Sequence, residues 1–530
     1  MLDLILRGGT VVDGTGVPPR QADLGIAAGR IEVVGDLDGV SAAEDLDVTG
    51  KVVAPGFVDV HTHSDLASFL PAENEPVKLA AVRQGVTTEV IGNCGWTAFP
   101  AVPGRREQIR DHVASIFGSA ARVFDCLADY RAAMEGQPLP TNLAPLVGHG
   151  TIRAAVLGFE RVAADRDAVR AMRRVLDQAI DEGAFGMSSG LVYPPGVYSD
   201  SEELVALGEV LQQRGRIYTT HMRDEMESVV EATEEGIDIA RRTGAAVQLS
   251  HLKVAGQQRW GTIDRLLDRI ERARQDGFDV AGDAYPYTAG STLLRAVLPP
   301  WVNEGGVDRA VERLGDAQTR RRIAQQYETG LPGWQNFVAA AGWGGIVVAS
   351  APGDSTLEGR SIAALAAASG SDGPETAARL IRDFHGEVVV VLHMMDEADV
   401  RSLVGEADVL IGSDTIPLPG SPHPRTAGTF ARILGTYVRD QRLAELPQIV
   451  RRMTSVPVER FGLGARGRLA EGLVADVVVF DPDGVQDRAT YTDPLAPAEG
   501  VAHVLVGGSA VIRDGCDTGV RSGRVLEPSP

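Results

Sequence analysis

Six residues of the types that bind metal ions occur where short apolar runs of the sequence end. His61 and His63 are two positions apart, so on an extended strand both imidazoles point to the same face and can bind one ion. Histidine nitrogen, cysteine thiolate and aspartate oxygen are all ligands of zinc. One such residue alone would be explained by packing, but the set together predicts a metal site. The remaining four, in chain order, are Cys94, His221, His251 and Asp414.

Eight short apolar runs alternate with amphipathic helical stretches in the middle of the chain. This order is typical of a (β/α)8 barrel, whose active site lies at the C-terminal ends of the strands. The six residues lie at those ends, as do His149 and His423, so a barrel would gather them on one rim. The runs are GFVDV (56–60), TTEVIGN (87–93), LAPLVGH (143–149), AFGMSS (184–189), RIYTTH (216–221), AVQLSH (246–251), DVAGDAY (279–285) and DVLIGSD (408–414).

The two ends of the chain share a different pattern. Residues 2–53, 468–482 and 500–514 read as short strands broken by glycine, without helical periodicity. The predicted fold class is therefore α/β: a TIM barrel with a small β-sandwich domain built from both chain ends. The long separation between the seventh and eighth runs predicts an insertion between barrel strands 7 and 8. The predicted bounds are 1–54 and 466–530 for the β domain, 55–465 for the barrel and about 286–400 for the insertion.

Composition excludes several kinds of partner. The 530 residues carry a formal net charge of −21, which opposes binding to nucleic acid or an anionic membrane surface. The three cysteines are too few and too scattered for a disulfide framework, which indicates a reducing compartment. The N-terminus has no charged leader followed by an apolar run. We therefore expect a cytoplasmic protein without a nucleic-acid or membrane partner; its oligomeric state stays open.

Several motifs together resemble a known family. APGFVDVHTHSD (54–65) is similar to the opening of the amidohydrolase superfamily. The later motifs resemble its N-acyl-D-amino-acid deacylase branch, the D-aminoacylases, and the resemblance covers nearly the whole chain. These motifs are GNCG (92–95), SSGLVYPPG (188–196), HMRDE (221–225), LSHLK (249–253), DAYPYTAGS (283–291), GSD (412–414) and HPRTAGTFARILG (423–435).

The resemblance implies how the metal would be held. Many amidohydrolases bridge two metals with a carboxylated lysine on the fourth strand, but this chain reads GMSSG (186–190) there. In the D-aminoacylase branch a cysteine from the second strand ligates instead. By resemblance, one zinc is tightly bound by Cys94, His221 and His251, and a second site, weak or empty, is formed by His61, His63 and Asp414.

The activity that the resemblance implies is zinc-dependent hydrolysis of the amide bond of N-acyl-D-amino acids, which gives a carboxylate and a free D-amino acid. Zinc would polarise the acyl carbonyl and lower the pKa of a bound water. Asp414 would act as general base and then as general acid. His61 and Tyr193 are further candidates for stabilising the oxyanion.

The α-carboxylate of such a substrate needs cationic or hydrogen-bonding partners. The resemblance points to Lys253, Tyr285, Ser291 and Arg425 as these partners. Arginine can hold a carboxylate with two parallel bonds, which fixes its orientation. Arg295 could bind an acidic side chain of the substrate, although its position fits an exposed residue of the insertion equally well.

Three alternatives remain open at this point. The first is an amidohydrolase acting on cyclic amides, similar to dihydropyrimidinase, which the missing fourth-strand lysine disfavours. The second is a serine hydrolase using Ser188 in Gly186-Met187-Ser188-Ser189-Gly190, although the residues that follow do not predict the helix of a nucleophile elbow. The third is a catalytically inactive scaffold, which has no use for the metal-ligating set. Neither the preferred side chain nor the acyl group follows from the sequence, and the D configuration rests on resemblance alone.

Overall fold

The structure, a computed structural model, describes residues 1–528 and begins with five strands. The first strand, β1, pairs antiparallel with β2 and parallel with β4 and β5. Glycine turns separate these short strands, as the sequence pattern predicts. Their bounds are β1 (Leu2–Val11), β2 (Arg20–Ala27), β3 (Arg30–Gly35), β4 (Ala42–Asp47) and β5 (Val52–Pro55).

The barrel strands follow, and each pairs parallel with its neighbours. Their residues are almost all buried, which explains why they appear in the sequence as continuous apolar runs rather than alternating ones. The third strand is divided into β8 and β9. The bounds are β6 (Phe57–Asp59), β7 (Val86–Ile91), β8 (Asn142–Pro145), β9 (Val147–Gly148), β10 (Gly186–Gly190), β11 (Ile217–His221), β12 (Val247–Leu249) and β13 (Val280–Ala284).

Helices between these strands cover the outside of the barrel. In α5 the side chains of Met172, Leu176 and Ile180 are buried at helical spacing, and Asp165 caps the first turn by accepting from two backbone N–H groups. The helices of this part are α1 (Glu75–Lys78), α2 (Arg106–Phe117), α3 (Leu127–Met134), α4 (His149–Leu157), α5 (Arg166–Asp181), α6 (Ser201–Gln213), α7 (Val229–Thr243) and α8 (Asp264–Gln275).

After β13 the chain forms a separate antiparallel sheet of three strands, β14 (Ala289–Leu293), β15 (Ile346–Ser350) and β16 (Val389–His393). Its apolar residues form a cluster of their own, which includes Ile346, Val390 and Leu392. The helices around it are α9 (Val307–Gly315), α10 (Ala317–Thr329), α11 (Phe337–Gly345), α12 (Ile362–Ser369) and α13 (Gly373–Asp383).

The chain then returns to the barrel and closes it. The last barrel strand, β17 (Val409–Ile411), follows α14 (Glu397–Gly405) and pairs parallel with β13. A parallel bridge between Thr62 and Thr415 joins the ends of β17 and β6. Next come α15 (Arg425–Arg432), a π-helix (Ile433–Asp440), α16 (Leu446–Met453) and α17 (Ser455–Phe461).

The final strands join the sheet of the N-terminal ones. They are β18 (Val477–Phe480), β19 (Val501–Val506), β20 (Ser509–Arg513) and β21 (Cys516–Asp517), and β18 pairs antiparallel with β5. The prediction of an α/β barrel with a β domain from both chain ends is thereby confirmed, whereas the exact domain bounds stay predictions. None of the helices within residues 1–528 combines the length and apolar character that crossing a membrane requires.

Candidate metal centre and active site

A cavity of about 460 Å³ opens at the C-terminal ends of the barrel strands. Of the eleven predicted site residues, nine line this cavity. The other two, His61 and Arg425, are fully buried and contact lining residues. The nine are His63, Cys94, Tyr193, His221, His251, Lys253, Tyr285, Ser291 and Asp414.

Cys94, His221 and His251 form the first candidate metal-binding group. The Cys94 sulfur lies 3.8 Å from Nδ1 of His221 and 3.6 Å from Nε2 of His251. A tetrahedral ion with bonds of about 2.3 Å to sulfur and about 2.0 Å to nitrogen separates those two atoms by about 3.5 Å. The sulfur is therefore spaced from both nitrogens about as zinc requires, and the chemistry of the three donors fits that ion.

A second group shares the same sulfur. It contains His61, His63, Cys94 and Asp414, and Nε2 of His61 lies 3.3 Å from the sulfur. Oδ1 of Asp414 lies 3.5 Å from Nε2 of His61 and 3.4 Å from Nε2 of His63. The two groups are thus adjacent, and Cys94 belongs to both of them.

The backbone is strained at three of these residues. Cys94, His251 and Asp414 have φ angles of 53°, 38° and 52°, in the left-handed region that side chains with a Cβ rarely adopt. Such a conformation costs about 1 kcal/mol or more per residue and tends to cluster at functional sites. Hydrogen bonds hold two of these residues in place: the Asp414 N–H donates to His61 O at 2.7 Å, and the His251 N–H donates to Asp283 Oδ1 at 2.8 Å.

The loop that carries Cys94 packs directly against the end of β10. A Cβ on Gly190 would lie 2.2 Å from the Cys94 carbonyl oxygen, so only glycine permits this approach. The Ser188 hydroxyl, in the same strand, donates to Gly92 O at 2.5 Å and accepts from Gly95 N at 2.9 Å. Ser188 is fully buried and engaged on both sides. The serine of the GxSxG match therefore supports the loop that carries Cys94. Its burial and its two hydrogen bonds disfavour a role as a catalytic nucleophile.

The charge distribution favours the thiolate form of Cys94. Burial raises the pKa of the thiol, but His61, His221 and His251 around it more than compensate and lower the pKa well below its usual value. Thiolate is the form of cysteine that binds metal. The electrostatic environment and the donor spacing therefore point to the same use of the residue.

Glu225 contacts two of the candidate metal ligands, and the sequence analysis missed it. Its buried carboxylate places Oε1 2.9 Å from Nδ1 of His251 and Oε2 3.7 Å from Nε2 of His221. Metal-binding histidines commonly direct the second ring nitrogen to a carboxylate, which fixes the tautomer and the ring orientation. Lys253 Nζ lies 2.5 Å from the same Oε1. Although burial raises the pKa of Glu225, Lys253 and the imidazoles lower it well below its usual value.

The residues expected to hold a substrate carboxylate surround Tyr285. Two cations lie over the Tyr285 ring, with Lys253 Nζ 5.6 Å and Arg425 Cζ 4.8 Å from its centroid. Both cations already face protein carboxylates, Lys253 at Glu225 and Arg425 at Asp414, where Nη1 lies 2.8 Å from Oδ2. The Arg425 side chain also reaches Ser291 O at 3.5 Å. These four residues therefore form one cluster beside Asp414.

Tyr193 packs against His221 of the first candidate metal-binding group. Its ring centroid is 5.0 Å from that of His221, and its hydroxyl forms a 2.9 Å hydrogen bond with Thr292 Oγ1 in β14. Desolvation raises the pKa of Tyr193 well above its usual value, so the hydroxyl keeps its proton and can donate. That is the protonation state that oxyanion stabilisation requires.

Arg295 is buried, so its interpretation as an exposed residue of the insertion is wrong. Its Nη2 donates to Ser115 Oγ at 3.0 Å, and its guanidinium lies 5.7 Å from the ring of Trp96, which lines the cavity. Burial lowers the pKa of Arg295 to about 10. Within residues 1–528 no carboxylate pairs with it, and its Nε has no hydrogen-bond partner.

His149 and His423 lie outside both candidate metal groups. His149 begins α4, and its Nε2 lies 2.7 Å from Glu203 Oε1. His423 bridges two backbone groups: Nε2 donates to Ala289 O at 2.9 Å, and Nδ1 accepts from Arg425 N at 3.0 Å. Both histidines thus have structural partners, through both ring nitrogens in His423 and through Nε2 alone in His149, whose Nδ1 has no hydrogen-bond partner among residues 1–528.

The chain is similar over nearly its whole length to known proteins. The sequence profile of the amidohydrolase family matches residues 45–512. The chain is 37% identical to an N-acyl-D-glutamate deacylase of Alcaligenes xylosoxydans xylosoxydans, over 99% of this chain and 96% of that protein. It is also 37% identical to a D-aminoacylase of the same organism, over 99% of this chain and 97% of that one. Among solved structures, the chain matches the N-acyl-D-glutamate deacylase of Bordetella bronchiseptica with a TM-score of 0.85 and 36% identity, over 99% of both chains. That structure contains zinc and a phosphonate inhibitor that mimics the tetrahedral intermediate of the reaction.

Proposed function

The chain belongs to the amidohydrolase family, and from this premise we propose that it hydrolyses the amide bond of N-acyl-D-amino acids to a carboxylate and a free D-amino acid. The observation that carries this proposal is the convergence of Cys94, His221 and His251 beside Asp414 in one cavity. The similarity to relatives named for this activity, over nearly the whole chain, supports it.

We propose zinc as the cofactor, tightly bound by Cys94, His221 and His251, with a second site at His61, His63 and Asp414 that is weakly filled or empty. When bound, zinc supplies electrostatic activation of a water molecule and of the acyl carbonyl. The three free cysteines within residues 1–528 are consistent with the reducing, cytoplasmic location that we propose.

The residues of the chain would move the protons and hold the substrate. Asp414 takes a proton from the attacking water and delivers it to the nitrogen of the leaving amine, which departs as the D-amino acid. Its carboxylate is suited to this role because Arg425 and His61, working against burial, lower its pKa well below the usual value and keep it ionised. His61 and the protonated hydroxyl of Tyr193 stabilise the negative charge that develops on the acyl oxygen.

Lys253, Tyr285, Ser291 and Arg425 would hold the α-carboxylate of the substrate. Their cluster beside Asp414 supports this assignment, since it would bring the amide nitrogen close to the residue that protonates it. For the substrate side chain we propose an acidic group that pairs with Arg295. A buried guanidinium without a carboxylate partner is costly, and an acidic substrate would supply that partner.

The competing activity within the family is hydrolysis of cyclic amides. The fourth strand, β10, carries no lysine that could bridge two metals, which disfavours it. The test is a hydrolysis screen of N-acetyl-D- and N-acetyl-L-amino acids, with cyclic amides alongside, on protein whose metal content has been measured. We expect turnover of D substrates, most for acidic side chains, loss of activity with a chelator and recovery with zinc. Turnover of cyclic amides alone, or activity that persists without metal, would refute the proposal.

A further inference from the structure

One side chain of the antiparallel insertion after β13, Gln335, hydrogen-bonds to the carboxylate behind the candidate metal centre. It stands two residues before Phe337, which lines the cavity, and is 2% exposed. Gln335 Oε1 accepts from the backbone N–H of Glu225 at 3.2 Å, and Gln335 Nε2 donates to Glu225 Oε2 at 3.5 Å. Within residues 1–528, both of its side-chain hydrogen bonds thus go to one residue.

Glu225 is the carboxylate behind the two imidazoles. Its Oε1 is committed to His251 and Lys253, and its Oε2 faces His221. The carboxylate can face all three groups at once only in one rotation about its terminal bond. The Gln335 amide contacts both the backbone and Oε2 of Glu225, so it is placed to select that rotation.

We propose that Gln335 is a positioning residue that acts through Glu225 to hold His221 and His251 in the orientation that binds metal. The insertion therefore completes the metal centre rather than only covering the cavity. This inference rests on the proposed metal centre. It assigns Gln335 no contact with substrate or metal.

The variant Gln335→Met tests it, because methionine keeps the length of the side chain and removes both hydrogen bonds. Its zinc affinity, measured by competition with a chromophoric chelator, is expected to fall about tenfold or more. The thiolate-to-metal absorption of the cobalt(II)-substituted protein is expected to shift. The matched control is Gln326→Met: Gln326 Oε1 accepts from Trp301 Nε1 at 2.9 Å inside the insertion, and this variant should match the wild type in both measurements.

A double-mutant cycle separates positioning from general packing. In a Glu225→Gln background, Gln335→Met should weaken zinc binding by less than it does alone, because the two residues act as one unit. Wild-type zinc affinity and an unchanged cobalt spectrum in Gln335→Met, with only a lower melting temperature, would overturn the inference and leave the proposed function intact. A wild-type protein that binds no zinc would instead overturn the proposed function, and this inference with it.

Discussion

Nη1 of Arg425 lies 2.8 Å from Oδ2 of Asp414, so a residue expected to bind substrate also contacts the residue expected to transfer protons. Arg425 is fully buried, with its guanidinium 4.8 Å from the centroid of the Tyr285 ring. Burial alone would raise the pKa of Asp414, but Arg425 and then His61 lower it, and the net shift is well below the usual value. We therefore expect substrate recognition by Arg425 and the basicity of Asp414 to be coupled through this ion pair.

The variant Arg425→Met should change both properties at once. Removing the cation raises the pKa of Asp414, so the ionised base becomes available only at higher pH and the acid limb of the kcat profile moves upward. Loss of a hydrogen-bonding contact to the substrate carboxylate costs about 1.5–3 kcal/mol, so kcat/KM should fall about tenfold to a hundredfold. The pH profile and kcat/KM on one N-acetyl-D-amino acid provide both measurements.

Arg432→Met is the control for that experiment. Arg432 pairs with Asp487 and donates to Pro286 O without contacting Asp414. It should leave the acid limb where it is in the wild type. If Arg425→Met leaves the acid limb in place as well, Arg425 does not tune Asp414 in the active enzyme.

Replacing the shared sulfur should empty both metal-binding groups while the fold persists. In Cys94→Ala the Cβ is retained, so the backbone at φ 53° is no more strained than in the wild type. We expect zinc content near zero, loss of hydrolysis by more than about a hundredfold and an unchanged circular dichroism spectrum. Cys126→Ala, at a partly exposed free thiol remote from the groups, should retain zinc and activity. Full zinc content in Cys94→Ala would show that the thiolate is not a ligand.

The sequence indicated the residues that converge in the cavity better than it indicated the residues that lie behind them. The sequence could identify four of the cavity residues because each follows an apolar run and barrel geometry brings strand ends together. These are Cys94, His221, His251 and Asp414. Glu225 follows His221 by four residues in an irregular loop, where no periodicity marks its direction. Gln335 lies 110 residues further along, and only the folded insertion places it beside Glu225.

The burial and ion pairing of the arginines were the other properties that the sequence alone could not assign. Arg295 reads equally well as an exposed or a buried residue, because it lies in a short 3₁₀ turn after β14 that has no amphipathic pattern. The same limit applies to Arg425, whose pairing with Asp414 depends on the path of the chain between β17 and α15. Burial and ion pairing are tertiary properties, so residue type and spacing indicate only that a cation is available.

Arg295→Met should reduce selectivity for acidic substrates and stabilise the free protein. We expect kcat/KM for N-acetyl-D-glutamate to fall about tenfold to a hundredfold, and that for N-acetyl-D-leucine to stay close to the wild-type value. Since burial lowers the pKa of Arg295 to about 10, the folded state disfavours its charge, and a neutral side chain should raise the melting temperature. Arg309→Met, at an exposed position paired with Glu312, should change neither the substrate selectivity nor the melting temperature. Equal losses on both substrates would contradict a role in side-chain recognition.

The hydroxyl of Tyr193 provides the most direct test of oxyanion stabilisation. It lies in the cavity with its proton retained, and its partner Thr292 Oγ1 can accept or donate, so the hydroxyl is free to turn towards a developing charge. Tyr193→Phe should lower kcat about a hundredfold and change KM little, because the lost contact forms mainly in the transition state. Tyr198→Phe removes a hydroxyl that donates to Pro300 O outside this cavity and should leave kcat unchanged. A rise in KM with constant kcat in Tyr193→Phe would instead assign Tyr193 to substrate binding.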